Sequence, residues 1–205
     1  MNEIILASNS KTRAALLVSA GITFEISPAN IDEEEIKASL IAEKCEPFII
    51  SEVLAENKAL AISRKTPSSL VIGADQILEC GKSILSKPKT KSEARKQLCL
   101  LRDTDHKLIS SVVVARDGQR LWHNTDVALL QMRNFSDAFL DNYLNDLDED
   151  ILFGSGCYRV EGIGIQLFAR ITGDYFTILG LPLLPLLDYL RLQGGVSERI
   201  FQGRL

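Results

Sequence analysis

The sequence predicts a mixed α/β fold, because strand-type and helix-type segments follow one another along its 205 residues. Residues 70–74 read Leu-Val-Ile-Gly-Ala and are apolar on both faces, which is typical of a central strand covered on both sides. A chain of this length buries enough apolar surface for one domain with a full core. We therefore expect residues 1–205 to form a single domain, which can consist of two lobes.

The individual elements follow from apolar runs, capping residues and turn residues. The sequence contains no internal repeat and no low-complexity tract that would change this reading. In the first half the predicted elements are a strand at 4–7, a helix at 12–20, a strand at 22–26, a helix opening at 32–35, a helix from 47 to 61, and a strand at 70–74. In the second half they are a helix at 94–101, a hairpin of strands at 108–115 and 120–122 with its turn at 117–118, and a helix from 136 to 144. Strands at 163–171 and 176–179 follow, with a turn at 173–174 between them, and the last predicted element is a helix after 182.

Three local signals fix the helices of the first half. Gly21 is placed to close the first helix, because glycine adopts the left-handed conformation common at helix ends. The acidic run that begins at Asp32 suits the positive end of a helix dipole. Pro47 lacks a backbone N–H, so it fits the first turn of the long helix.

Capping and turn residues also indicate where helices and strands of the second half begin and end. Residues 90–93 read Thr-Lys-Ser-Glu, which is a capping box. Asp117-Gly118 is a strong two-residue hairpin signal, and it predicts a hairpin at the edge of the sheet or extending it. Ser136 can cap the next helix while Phe135 and Leu140 form a hydrophobic staple.

Composition excludes several classes of protein. The formal net charge is −4 and there is no Lys/Arg block, so we expect no binding to DNA or RNA. Neither a basic segment at the start nor an apolar run long enough for a membrane is present, so we expect neither a signal peptide nor a membrane span. The spacing of the few Cys and His residues argues against a zinc cage or a disulfide framework, and together these features predict a reducing, cytoplasmic location. The residues concerned are Cys45, Cys80, Cys99, Cys157, His106 and His123.

The polar elbow after the first strand is a candidate anion site. Ser8, Asn9 and Ser10 lie at the start of a helix, where backbone N–H groups and the helix dipole favour negative charge, and Lys11 and Arg13 add positive charge. The alternative is a Ser cap on an exposed helix with two solvated cations, because capping is the commonest use of Ser at this position. Phosphate binding and simple capping both stay open at this point.

A carboxylate follows the central strand and a lysine follows twelve residues later. Asp75 is predicted at the strand end, Gln76 comes next, and Lys87-Pro88 lie in a short loop. A carboxylate there can take a proton from water or bind a divalent ion, and a nearby lysine can hold a phosphoryl group. A structural Asp–Lys contact on a surface turn is the alternative.

A glycine-rich segment lies at residues 154–164. Four glycines in eleven residues imply sharp turns or a close approach of the backbone to a ligand, but the spacing is not that of a dinucleotide fingerprint. Glu161 in this segment is a candidate to accept hydrogen bonds from a base edge or to bind metal. Its alternative role is an ion pair with Arg159.

Taken in order, these segments resemble the Maf family of nucleoside triphosphate pyrophosphatases over nearly the whole chain. Each piece is common by itself, but the ordered set is specific. The resemblance rests on residues 6–13 (Leu-Ala-Ser-Asn-Ser-Lys-Thr-Arg), Asp32-Glu33, residues 55–59 (Ala-Glu-Asn-Lys-Ala), residues 73–76 (Gly-Ala-Asp-Gln) with Lys87-Pro88, and residues 161–164 (Glu-Gly-Ile-Gly) followed by residues 180–183 (Gly-Leu-Pro-Leu).

The resemblance implies an elongated mixed α/β fold with a central mixed sheet, flanking helices and two lobes around a cleft, similar to inosine-triphosphate pyrophosphatases. It also implies hydrolysis of an NTP to NMP and pyrophosphate with a divalent cation, Mg²⁺, Mn²⁺ or Co²⁺. By this resemblance Asp75 is the proton acceptor, and Glu33 with Asp75 is the candidate metal-ligand pair. The positions matching the family's triphosphate contacts are Ser8, Ser10, Arg13, Lys58 and Lys87.

Three positions match those that separate base preferences in this family: Thr12, Gln76 and Glu161. The pairs Asp75-Gln76 and Glu161-Gly162 resemble the branch that acts on 7-methyl-GTP, which makes that nucleotide an alternative substrate. That branch carries an aromatic residue where this chain has Thr12, and an aromatic face suits a cationic base. The pattern therefore leaves the preferred base open.

One departure from the family pattern motivates a hypothesis of another class. Where the family usually has Ser-Pro-Arg-Arg, this chain has Ser-Lys-Thr-Arg at residues 10–13, and a lysine cannot offer the bidentate fork of an arginine. The alternative function is a non-catalytic nucleotide-binding regulator of septum formation, a process with which the family has been associated. The resemblance also implies a homodimer.

Overall fold

A computed structural model of the chain describes residues 3–147 and 154–194. The strands are β1 (Ile4–Leu6), β2 (Glu25–Ile26), β3 (Leu70–Cys80), β4 (Ser83–Leu85), β5 (Asp105–Arg116), β6 (Gln119–Met132) and β7 (Phe168–Thr172). The helices are α1 (Lys11–Ser19), α2 (Glu33–Ala42), α3 (Pro47–Ser63), α4 (Lys91–Leu101), α5 (Asp137–Asn145), α6 (Tyr175–Ile178) and α7 (Leu183–Leu192), with 3₁₀ turns at Ser155–Cys157 and Ile163–Leu167. Within these residues no helix combines the length and apolar character needed to cross a membrane.

The strands form one open mixed sheet in the order β2-β1-β3-β5-β6-β7, with β4 added beside the far end of β3. β1 is parallel to both of its neighbours, and every pair from β3 to β7 is antiparallel. The predicted mixed α/β class is confirmed. The hairpin turn at Asp117-Gly118 is also confirmed, with both residues at positive φ. Its second strand at 120–122 pairs only with β5 among the described strands, because β7 reaches only Leu129–Met132 of β6, so this part of the hairpin lies at the edge as predicted.

Helix α3 covers one face of β3 and β5, and the opposite face carries two separate apolar clusters. Alternate residues of β3 point to opposite faces, so odd positions contact α3 and even positions face the clusters. One cluster surrounds Ile72 and Val114 and includes α1 and α7, and the other surrounds Leu78 and Leu130 and includes α4 and α5. Asp75, on the α3 side, and Gln76, on the other, lie on the strand between these regions.

Most predicted helix boundaries are confirmed by their caps. Ser136 Oγ accepts the N–H of Phe139 at 3.2 Å, and Pro47 occupies the first turn of α3. The capping box at α4 is half formed: Thr90 Oγ1 accepts the N–H of Glu93, whose carboxylate in turn accepts the N–H of Lys89.

Three sequence predictions about strands are wrong. Residues 163–167 form a 3₁₀ turn, in which the N–H of Ile165 donates to the carbonyl of Gly162 at 3.1 Å, and the strand begins only at Phe168. Residues 175–178 form a helix, because Asp174 Oδ1 accepts the N–H of Thr177 at 3.0 Å and caps it. Between 22 and 26 only Glu25–Ile26 is a strand.

The position predicted for Asp75 at the end of its strand is also wrong. β3 continues to Cys80, because β5 pairs with it from Val71 to Glu79. It is the neighbouring β1 that ends, since its last paired residue, Leu6, lies opposite Ile72.

The close contact of α3 with the sheet predicts the effect of one methyl group. A Cβ on Gly73 would lie 2.6 Å from the Ala59 nitrogen and nearer still to the Ala55 carbonyl oxygen, so Gly73→Ala must push the helix away. We expect a loss of about 1–3 kcal/mol or more in the free energy of unfolding, measured by urea denaturation. Gly162→Ala is the control, because among the described residues no atom beyond its chain neighbours lies within 4 Å of an added Cβ. Equal stability of the two variants would contradict this account of the packing.

Candidate active site

The main cleft opens where one edge of β3 has no partner among the described strands. β1 pairs with β3 as far as Ile72, and β4 pairs with it only from Leu78 onward. The edge between these two residues faces a cleft of about 470 Å³, which is within the range of about 300–1,000 Å³ usual for small-molecule sites. Because an open strand edge is accessible from both faces of the sheet, consecutive side chains of β3 reach the same cleft.

The elbow after β1 forms one wall of this cleft. Ser10 caps α1 by accepting the N–H of Arg13 at 3.3 Å, and Ser8 Oγ accepts the N–H of Ser10 at 3.2 Å. The Arg13 guanidinium donates to Ser8 Oγ, to the carbonyl of Ala74 on the open edge at 2.9 Å, and to the carbonyl of Gly180 at 2.8 Å. Arg13 therefore occupies part of the position that a continued β1 would fill.

A buried lysine joins two carboxylates in the middle of the cleft. Lys58, on α3, donates through Nζ to Asp75 Oδ1 at 2.7 Å and to Glu33 Oε2 at 2.8 Å. The Lys58 and Asp75 side chains are almost fully buried, whereas Glu33 at the start of α2 is half exposed. One ammonium thus holds the carboxylates of two separate elements side by side.

Lys87 lies across the open edge, in the loop that follows β4. Its side chain is exposed to the open cleft, yet the surrounding protein removes enough water that desolvation lowers the pKa of its ammonium group. Repulsion from Arg13 lowers this pKa further, and Glu33 opposes both effects. Desolvation likewise lowers the pKa of Arg13, against the attraction of Asp75 and Glu33. Partly dehydrated cations of this kind gain from the arrival of an anion.

Gln76 reaches the cleft from the face opposite α3. Its Nε2 donates toward Ser110 Oγ and toward the carbonyls of Thr177 and Ile178, at 3.0 to 3.1 Å. Thr12 on α1 and Glu161 in the glycine-rich segment line the same cleft. No ion pair between Glu161 and Arg159 is found among the described residues.

The structure therefore brings every site residue predicted from the sequence into one cleft. The set comes from six separate stretches of the chain. The residues are Ser8, Ser10, Thr12, Arg13, Glu33, Lys58, Asp75, Gln76, Lys87 and Glu161.

Sequence reasoning missed two features of the site. Tyr158 lines the cleft, and its hydroxyl is 2.7 Å from Nε2 of His106, whose burial lowers the pKa of that imidazole to about 4. Short helix α6 supplies the carbonyls that hold Gln76 and precedes the Gly180 carbonyl that holds Arg13. The glycine-rich segment indicated that the region of Tyr158 approaches a ligand. Helix α6 could not be predicted, because residues 176–179 have the composition of a strand.

The acidic pair fits a divalent cation. Glu33 and Asp75 bind the same ammonium, so their carboxylates lie side by side, and both would hold a divalent cation together with phosphate oxygens if Lys58 released part of this pairing. Mg²⁺ is usually bound in this way, through one or two carboxylates together with substrate phosphates and water. Within residues 3–147 and 154–194 no cluster of three or more ligating side chains is present, so protein ligands alone would not complete the coordination.

Comparisons with known proteins agree with this geometry. The family described as Maf-like protein matches residues 3–193. A nucleoside triphosphate pyrophosphatase of Paramagnetospirillum magneticum is 50% identical over 93% of this chain and 98% of its own length, and one of Caulobacter vibrioides is 48% identical over 96% and 98%. A 7-methyl-GTP pyrophosphatase of Brucella abortus is 45% identical over 92% and 95%. A match of this extent, on a chain that gathers the family's sequence signatures into one cleft, shows that the protein belongs to the Maf family.

Proposed function

We propose that this chain hydrolyses a nucleoside triphosphate to the nucleoside monophosphate and pyrophosphate. The observation that carries the proposal is the cleft itself, in which three cations, Arg13, Lys58 and Lys87, surround the paired carboxylates of Asp75 and Glu33. Cations that position a polyphosphate, next to a carboxylate that orients water, are the parts that phosphoryl transfer requires. The names of the relatives support the same reaction.

The proposed position of the phosphate chain is along the open edge of β3. The start of α1 offers backbone N–H groups and the positive end of its dipole, and Arg13 stands beside it with its guanidinium fixed by Ala74 and Gly180. Lys87 closes the opposite side. Negative charge that moves onto the pyrophosphate leaving group is then stabilised from two sides.

Asp75 is the proposed general base. The water that attacks the α-phosphorus gives its proton to this carboxylate, while Lys58 fixes the Oδ1 oxygen by a 2.7 Å ion pair. Burial of both side chains excludes bulk water and holds their geometry before substrate arrives.

A divalent cation, Mg²⁺, Mn²⁺ or Co²⁺, is proposed at Glu33 and Asp75. When bound, it would neutralise phosphate charge as the bond between the α- and β-phosphates breaks. Lys58 now contacts both carboxylates, so it would exchange part of this pairing for phosphate oxygens when the site fills. This exchange would keep the Lys58 ammonium paired with negative charge.

Residues of the cleft support two different base preferences. Gln76 and Glu161 both offer hydrogen-bond acceptors to the cleft, and this feature agrees with 7-methyl-GTP, the substrate named for the Brucella relative. Thr12 provides no aromatic face for a cationic base, which favours a wider range of selected or non-standard nucleotides.

We further propose that the protein acts in the cytoplasm, as a homodimer and without binding nucleic acid. All four cysteines are free thiols, as a reducing compartment requires. The net charge of −4 supports the absence of nucleic-acid binding.

The reaction itself is tested by product identity. We expect purified protein with Mg²⁺, Mn²⁺ or Co²⁺ to release NMP and pyrophosphate from at least one member of a panel of standard NTPs and 7-methyl-GTP, measured by chromatography of the nucleotide. Orthophosphate as the first product would indicate a phosphatase. Tight nucleotide binding without turnover across the panel would favour the regulator of septum formation.

Replacement of the proposed base gives the second test. Asp75→Asn keeps the size of the side chain but cannot accept the proton, so kcat should fall by ~10²- to 10⁴-fold. Asp141→Asn is the matched control, because Asp141 forms a surface ion pair with Arg95 away from the cleft. Unchanged turnover in Asp75→Asn would reject the assignment.

Metal dependence is tested at Glu33. We expect EDTA to abolish pyrophosphate release, and Glu33→Gln to raise the Mg²⁺ concentration for half-maximal activity by about 10-fold, because one charged ligand is lost. Glu35→Gln is the control, since Glu35 shares the acidic first turn of α2 but does not line the cleft. Full activity in EDTA would exclude the cation.

A further inference from the structure

A polar row crosses the sheet on the face opposite α3. Gln76 on β3 lies opposite Ser110 on β5, and Ser110 lies opposite Asp126 on β6. Residues paired in this way point to the same face, so the three side chains form one line. The line falls between the two apolar clusters around Ile72 and Leu78.

Helix α6 is fastened over this row by two side-chain hydrogen bonds. Ser110 Oγ donates to the carbonyl of Thr177 at 2.8 Å, and Thr177 Oγ1 donates to Asp126 Oδ2 at 2.7 Å. Ser110 and Thr177 are fully buried, at 0% exposure. Polar groups so buried are kept only where their hydrogen bonds hold something in place.

Together with α6, these hydrogen bonds hold the side-chain amide of Gln76. Its terminal nitrogen lies within 3.0 to 3.1 Å of the carbonyls of Thr177 and Ile178 and of Ser110 Oγ. A carbonyl can only accept, and the Ser110 proton is already given to Thr177, so all three neighbours act as acceptors and share the two N–H protons of Gln76. The amide nitrogen must therefore face α6, and the amide oxygen, on the other side of the same carbon, faces away from it.

We infer that Thr177 and Ser110 are positioning residues for base selection, because they hold α6 so that Gln76 presents a hydrogen-bond acceptor, and never a donor, to the nucleotide. Neither residue touches the substrate. The inference rests on the proposed nucleotide site, and it extends that site to side chains that the cleft does not expose.

The inference makes a prediction about pairs of bases. On their Watson–Crick edges guanine and adenine have inverted donor and acceptor patterns, and so have uracil and cytosine. A fixed acceptor distinguishes the two members of each pair. An amide that can rotate serves as donor or acceptor and distinguishes them less.

The experiment measures binding of the α,β-methylene analogues of GTP, ATP, UTP and CTP by calorimetry, since their P–C–P bridge replaces the bond to be cleaved. We expect Ser110→Ala and Thr177→Val each to reduce the discrimination within the better-distinguished pair by about 3-fold, and the double variant by about 10-fold. A displacement of Arg13 through Gly180 weakens both members of a pair equally and cancels in the ratio.

Two controls separate positioning from loss of stability. Ser111→Ala removes the neighbouring buried hydroxyl, which bonds Thr125 on the other face of the sheet, and Thr177→Ser keeps the bond to Asp126. Both should keep the wild-type ratio, with thermal unfolding confirming that each protein is folded. Should the double variant not fold, the two single variants carry the test.

Two results would overturn the inference: a wild-type protein that does not discriminate within either pair, or folded Ser110→Ala and Thr177→Val variants with the wild-type ratio. This experiment measures nucleotide binding, whereas the proposed catalysis is measured by release of pyrophosphate, so failure of one proposal can be distinguished from failure of the other. A protein that binds and discriminates without releasing pyrophosphate would refute the reaction and keep the positioning role.

Discussion

The site depends on one constraint, the end of β1 opposite Ile72 while β3 continues to Cys80. A strand edge left without a partner presents main-chain polar groups that must be satisfied. Arg13 supplies one of these bonds through Ala74, and the loops that leave β1 and β4 bring the start of α1 and Lys87 to either end of the opening. The same interruption that costs backbone pairing therefore creates a cleft with positive charge at both ends.

The alternation of β3 then separates two tasks. Asp75 points toward α3, where Lys58 and Glu33 meet it, while Gln76 points toward α6. Where a strand is paired on both edges and the sheet is covered on both faces, such neighbours would lie in two unconnected cores. At an open edge both contribute to one cavity, so the side chains proposed for proton transfer and for base recognition are one residue apart in sequence but are held by different supporting elements. A substitution in the elements that hold Asp75 can therefore leave the elements that hold Gln76 unchanged, and the reverse.

The sequence predicted the fold class and the members of the cleft, but not how they are arranged. Caps at Ser136 and Pro47 are local signals, because a single side chain or a missing N–H decides them. The extension of β3 past Asp75 could not be read locally, since pairing with β5 determines it. Helix α6 was missed because its aromatic and β-branched residues favour a strand, whereas the cap at Asp174 and its place over the polar row make it a helix.

Helix α6 and the residues that follow it hold both Gln76 and Arg13. The carbonyl of Thr177 holds Gln76, and the carbonyl of Gly180, one turn later, holds Arg13. Gly180 has a positive φ of 90°, which a residue with a side chain adopts only with strain, so this turn is fixed by the choice of glycine. The proposed phosphate contact at Arg13 and the proposed base contact at Gln76 therefore depend on one short segment, which would set the distance between them.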